Sequence, residues 1–208
     1  VFQRTKDTPK YVDRIKIGRH WVGKGEKVFI IAEAGVNHNG DLETAKKLID
    51  VAAEAGADAV KFQTFKAEEL TIKNAPLAEY QKAEGIDATQ YEMLKRLELG
   101  EDDFKTLADY AGHKGILFLS SPFDEKSADL LEEIGVPAFK VGSGELTNLP
   151  LLRHIAKKGK PIILSTGMAT LEEVREAVHT IKNTGNMNIV LLHCTSLYPT
   201  RIDECNLN

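Results

Sequence analysis

The chain has 208 residues, an apolar fraction of 42% and a charged fraction of 28%, ordinary values for one globular domain. A net charge of −4 argues against nonspecific nucleic-acid binding; two cysteines, Cys194 and Cys205, rule out a disulfide scaffold and suit a reducing, cytoplasmic setting. No apolar run approaches the roughly 20 residues that span a bilayer, and the polar start VFQRTKDTPKYVDRIK is unlike a secretory signal.

Residues 1–27 do not share the repeating pattern of the rest of the chain. Ile15-Lys16-Ile17-Gly18 and Trp21-Val22-Gly23-Lys24-Gly25 predict a small hairpin that could plug the N-terminal end of a barrel. Six apolar runs come next: VFIIAEAG (28–35), AVKFQT (59–64), ILFLSSPF (116–123), AFKVGSGE (138–145), PIILSTG (161–167) and IVLLHCTS (189–196). Amphipathic helices separate them. Asp41 caps the first, whose buried stripe is Leu42, Ala45, Leu48, Ile49, Ala52 and Ala53. The second starts at the acids Glu101-Asp102-Asp103 and buries Phe104, Leu107, Ala108 and Ala111. A third follows Asp124, and a fourth covers about 151–158. The fifth opens on a capping box, Thr170 to Glu173, and buries Leu171, Val174, Val178 and Ile181. The connection from Phe65 to Gly100 is far longer than an ordinary βα loop and carries Tyr80, Tyr91, Met93 and Leu94. It reads as an excursion covering a substrate, or as an insertion packing a helix on the surface.

Strands this short and this apolar are covered on both faces, which predicts a parallel α/β fold. An open doubly wound sheet gathers its functional loops at one switch point. Here all six strand tips carry reactive or polar groups, which favours the TIM (β/α)8 barrel with about six βα units present. On this view residues 28–208 are a partial catalytic barrel, its last two units lying outside the chain.

Glu33 ends the first strand, where a carboxylate needs a partner or a task, such as general base or positioning a metal-bound water. Lys61 and Lys140 lie within strands, flanked by apolar residues, and should point inward. Two ammonium groups inside one barrel repel unless an anion, a phosphate or carboxylate, lies between them. Pairing with Glu33 or Glu145 is the structural alternative, and a Schiff-base lysine is a second functional one. Ser120-Ser121-Pro122-Phe123, Ser143-Gly144-Glu145 and Ser165-Thr166-Gly167 place hydroxyls and glycine N–H groups at equivalent tips, as an anion cradle would. His193 adjoins Cys194, but neighbours on a strand face opposite sides, so a metal site competes with a plain hydrogen-bonding role. His38 sits on a rim loop within reach of a substrate.

The segments IIAEAGVNHNGDLETAKKLIDVAAEAGADAVKFQTF, SSPFDEKSADLLEEIGVPAFKVGSGELTNLPLL, ILSTGMATLEEV and LLHCTSLYP resemble the N-acetylneuraminate (sialic acid) synthase family. That family includes legionaminate and pseudaminate synthases and spore-coat polysaccharide homologues. The resemblance implies a TIM barrel followed by an antifreeze-like domain, in a homodimer. It implies condensation of phosphoenolpyruvate with an N-acetylated hexosamine of the N-acetylmannosamine type, releasing phosphate. Under it, Lys61, Lys140, Ser121, Ser143 and Ser165 match phosphoenolpyruvate contacts, and Gln63, Phe123 and Tyr198 match sugar or pocket contacts. Glu33 and Glu145 match the acid–base carboxylates; Ser196 stands where some members carry Asn. The family's metal, manganese or magnesium, is held by histidines of Ser-Asp-His and Lys-His-Phe motifs, and neither motif occurs here. The metal ligands are therefore expected outside these residues, and the 208-residue polypeptide alone is expected to be inactive. Two rivals stand: a Schiff-base aldolase or lyase on the same barrel, and a non-catalytic remnant.

Overall fold

The computed structural model describes residues 12–76, 89–197 and 200–207. Strands β1 (Arg14–Ile17) and β2 (His20–Gly23) pair as an antiparallel hairpin. Six parallel strands follow: β3 (Ile31–Gly35), β4 (Ala59–Thr64), β5 (Leu117–Pro122), β6 (Phe139–Val141), β7 (Ile162–Ser165) and β8 (Ile189–Leu192). Backbone ladders join β3-β4-β5 and β6-β7-β8, and β6 lies beside β5. Each strand thus neighbours the next in sequence, with no reversal of order. A doubly wound sheet requires a reversal; a barrel requires this sequential order.

Helices α1 (Leu42–Glu54), α4 (Glu101–His113), α5 (Glu125–Ile134), α6 (Leu149–Lys157) and α7 (Leu171–Lys182) follow β3 to β7 in turn. The short α2 (Ala67–Leu70) and α3 (Gln90–Leu97) belong to the long connection after β4. Side-chain caps fix the helix starts: Asp41 accepts from Thr44 N, Asp124 from Ser127 N, and Thr170 and Glu173 form a reciprocal box. The fourth predicted helix starts earlier than its apolar pattern suggests, because Asn148 caps it and Pro150 suits its first turn. Leu171, expected to be buried, is 59% exposed. It occupies the first helical position of α7, and that helix packs on α6 along one side only among the described residues.

The strands divide their side chains by the two-residue period. One face carries Val60, Phe62, Phe118, Phe139, Val141, Ile162 and Leu164, which pack on the helices through Ile49, Leu107, Leu131, Leu152 and Ile155. Each such fully buried side chain contributes about 1.5–3 kcal/mol. The inner face begins apolar, with Ala59, Leu119, Ala138 and Ile163 closed from below by Ile15 and Ile17 of the hairpin. One step further along the same face, the residues become Glu33, Lys61, Gln63, Ser121, Lys140 and Ser165. The hairpin closes the N-terminal end, and the polar layer opens at the C-terminal end.

Candidate active site

A cavity of about 500 Å³ opens at the C-terminal tips of the strands. Its floor is set by ladder register. Glu33 on β3 lies directly opposite Lys61 on β4, and the carboxylate meets the ammonium at 2.5 Å. A bulge between Glu33 and Gly35 bends the end of β3 beside this pair. Gly35 sits at φ +55°, with Glu33 Oε1 only 3.2 Å from where a Cβ would stand. The Lys61 side chain is 9% exposed and that of Glu33 is 53% exposed, so the carboxylate reaches the mouth and needs no further buried partner.

Lys140 is also buried, but its partners are neutral oxygens: Ser165 Oγ at 2.7 Å and the Val141 carbonyl at 3.0 Å. Burial, and then repulsion from Lys61, pushes its ammonium down to about 8; Cys194 and Glu33 act weakly the other way. The pocket therefore holds two buried amines and one half-exposed carboxylate.

Hydroxyls complete the wall. Ser121 is the penultimate residue of β5 and is buried. Ser143 Oγ accepts from Gly167 N at 3.0 Å. A Cβ on Gly167 would stand 2.6 Å from Ser196 Oγ and 2.9 Å from Ser143 Oγ, so any larger residue there would force these hydroxyls to move. Thr166 ties this turn to β8, its N and Oγ1 both donating to the Leu192 carbonyl. Gln63 and Phe123 line the cavity as well, with Phe123 edge-on to Phe65 at 6.2 Å between ring centres.

The cavity thus brings together Glu33, Lys61, Gln63, Ser121, Phe123, Lys140, Ser143, Ser165 and Ser196 from the residues singled out in the sequence. Glu145 is not in its lining; its carboxylate accepts from Asn148 Nδ2 at 2.8 Å, in the turn two residues beyond Ser143. Tyr198 and Tyr80 lie outside the described residues. His193 is exposed and bonds the Cys205 carbonyl, and His38 is 1% exposed beneath the rim rather than open to a substrate. None of the described residues of the 66–100 connection lines the cavity. Lys126 pairs with Glu69, Lys66 N donates to Asp124, and the Arg96 carbonyl lies against Gly40, so this part of the chain packs on the loops that follow β3 and β5 beside the cavity. The lining also includes Asn37, Met168, Cys194 and Thr195, which sequence reasoning did not nominate. They lie within four residues of the ends of β3, β7 and β8, so extending each strand tip would have found them. Among the described residues, no group of three or more His, Cys, Asp or Glu could hold a metal ion. No helix among them is long and apolar enough to cross a membrane.

Sequential parallel strands, helices outside and a polar site on the C-terminal rim define a partial (β/α)-barrel with a polar strand-tip pocket. The sequence model of the NeuB family matches residues 48–208. The chain belongs to the NeuB family. It is 53% identical over 190 residues to the N,N'-diacetyllegionaminic acid synthase of Legionella pneumophila, covering 89% of this chain and 53% of that protein. It is 40% identical over 187 residues to the N-acetylneuraminate-9-phosphate synthase of Homo sapiens, covering 90% and 52% respectively. The crystal structure of N-acetylneuraminic acid (sialic acid) synthetase from Leptospira borgpetersenii, in complex with citrate, superimposes with a TM-score of 0.80 at 37% identity. That match covers 93% of this chain and 63% of the other. The chain spans about half the length of the curated relatives it matches.

Proposed function

We propose that the protein condenses phosphoenolpyruvate with an N-acetylated amino sugar of the N-acetylmannosamine type, giving a nonulosonate and phosphate. The observation that carries this reading is the pair Lys61 and Lys140 in one pocket, only one of them matched by a carboxylate. A dianionic phosphate ester with a carboxylate supplies the missing charge. Lys140 and the hydroxyls of Ser143, Ser165 and Ser196 would hold it, with Ser121 and Lys61 on the other wall. Gln63 and Phe123 would face the sugar.

In this reaction the methylene carbon of phosphoenolpyruvate forms a bond to the sugar's aldehyde carbon, and the aldehyde oxygen takes a proton. Water adds to the former enol carbon and gives up a proton. Phosphate then leaves as its bond to that carbon breaks, the hydroxyl oxygen forming the ketone and its proton leaving with the phosphate. Glu33, half-exposed at the mouth and paired with Lys61, is the group in reach to move these protons. The manganese or magnesium that the family resemblance implies would be held by residues beyond those described, and when bound would polarise the sugar's aldehyde.

The test is phosphate release by the intact protein from phosphoenolpyruvate, with and without N-acetylmannosamine, manganese being supplied. Release that depends on the sugar supports the reading; release indifferent to the sugar, or none, rejects it. The depressed ammonium of Lys140 favours one rival, a Schiff-base lyase. Borohydride treatment with pyruvate separates the two: a stable adduct at Lys140 would overturn the synthase mechanism.

A further inference from the structure

Met168 is anomalous in two independent ways. Its backbone is left-handed, at φ +62°, and it is 75% exposed at the rim of the anion pocket. The left-handed conformation costs a residue with a side chain about 1 kcal/mol or more, a cost glycine would avoid in the same turn. Leaving a large apolar side chain in water gains the free protein nothing.

The turn does not relax because it is held on both sides. Gly167 N donates to Ser143 Oγ, and Thr166 donates twice to the Leu192 carbonyl. Directly after Met168 comes the Thr170–Glu173 capping box that starts α7. The surroundings fix the strained residue, and its side chain, not its backbone, is what distinguishes methionine from glycine at this position. That side chain shares the pocket lining with Lys140, Ser143 and Ser196.

We propose that Met168 is a positioning residue that covers the anion pocket, its thioether lying on the uncharged enol face of the bound ligand and keeping water from the buried amines. The proposal rests on the reading that the ligand is phosphoenolpyruvate. An unbranched, polarisable side chain adapts well to a flat unsaturated group. Inorganic phosphate carries comparable charge but has no such face, so it separates the cover from the charge.

Binding of phosphoenolpyruvate and of inorganic phosphate is measured by calorimetry on the intact protein, as wild type, Met168→Gly and Met168→Leu, with the melting temperature of each. The wild type is expected to prefer phosphoenolpyruvate. Met168→Gly should weaken phosphoenolpyruvate about tenfold and change phosphate by less than about twofold, with an unchanged or higher melting temperature as strain is relieved. Met168→Leu should keep most of the phosphoenolpyruvate affinity. Equal phosphoenolpyruvate affinity in Met168→Gly and wild type overturns the cover. An equal loss for both ligands overturns it too, by placing the effect in the backbone. A wild type without preference between the two ligands rejects the phosphoenolpyruvate reading itself, and the inference with it.

Discussion

Lys61 and Lys140 project from β4 and β6 into the same pocket, yet only Lys61 meets a carboxylate, that of Glu33 at 2.5 Å. The asymmetry makes Lys140 a costly residue in the free protein, a cost that the proposed anionic substrate would offset.

Replacing Lys140 with methionine should therefore stabilise the free protein at neutral pH while removing anion binding. The folded state holds the amine at about 8, against an ordinary value of 10.5. Between those values the unfolded chain binds the proton more readily, so this group's contribution to stability rises with pH through that window. It is lost again as pH falls through 8. Below that, confining the charged amine costs about 3 kcal/mol, as an order of magnitude. Thermal unfolding should show Lys140→Met melting higher than wild type at pH 7, with the gain shrinking toward pH 10.5. Added phosphate should raise the wild-type melting temperature but not that of the variant. A variant that melts lower at pH 7 and still responds to phosphate would contradict this account.

Glu33→Gln removes the counter-charge of Lys61 without emptying the site. Anion affinity should hold or increase, since two amines then share the ligand. Turnover should fall by about 100-fold or more, the scale of a lost general acid–base group. Steady-state kinetics beside phosphoenolpyruvate titrations check this. Parallel losses in affinity and turnover would mean that Glu33 acts only on binding.

Most of this site was legible because barrel strands alternate strictly. Ala59, Lys61 and Gln63 must share a face, as must Leu119 and Ser121, so the polar layer follows from the sequence once the runs are read as strands. The sequence points to sequential strand order only indirectly, through polar groups at every tip. What could not be read were relations set by tertiary geometry. The bulge after Glu33 is one, and the turn that gives Met168 a left-handed backbone is another. Glu145 looked equivalent to the other tips, but β6 stops at Val141 and the chain winds into a 3-10 turn. His38 looked exposed, since NHNG reads as a rim loop, but Phe62 and the fold of residues 36–40 enclose it.

That enclosure makes His38 a source of acid sensitivity. Its Nδ1 accepts from Gly40 N at 3.0 Å, which places its proton on Nε2. Burial lowers its pKa from the ordinary 6.5, with the nearby Asp41 carboxylate opposing the shift. The unfolded chain therefore takes up a proton first as pH falls. Stability from this residue is present above pH 6.5 and declines as pH drops toward the lower folded value. Protonating Nδ1 also breaks the bond to Gly40. Unfolding measured from pH 7.5 to 5 should fall more steeply for wild type than for His38→Gln, and identical slopes would rule out the histidine as the cause.

Gly167→Ala tests the closure of the pocket wall. The new Cβ would stand 2.6 Å from Ser196 Oγ and 2.9 Å from Ser143 Oγ, both well inside van der Waals contact. Hydroxyls can rotate, but the Cys194 carbonyl at 3.3 Å is backbone and gives less. The tips of β6, β7 and β8 would be pushed apart by a few tenths of an ångström, and the Ser143–Gly167 bond would lengthen. A stability loss of about 1–3 kcal/mol is expected from the overpacking. Phosphate affinity should fall about tenfold, because hydrogen bonds to a charged ligand are each worth about 1.5–3 kcal/mol when well aligned. Adding Ser143→Ala removes one of the two clashing hydroxyls. The double variant should regain stability without regaining affinity, which separates the steric role of Gly167 from the ligand-binding role of Ser143. A double variant that recovers both would leave Ser143 without a part in holding the anion.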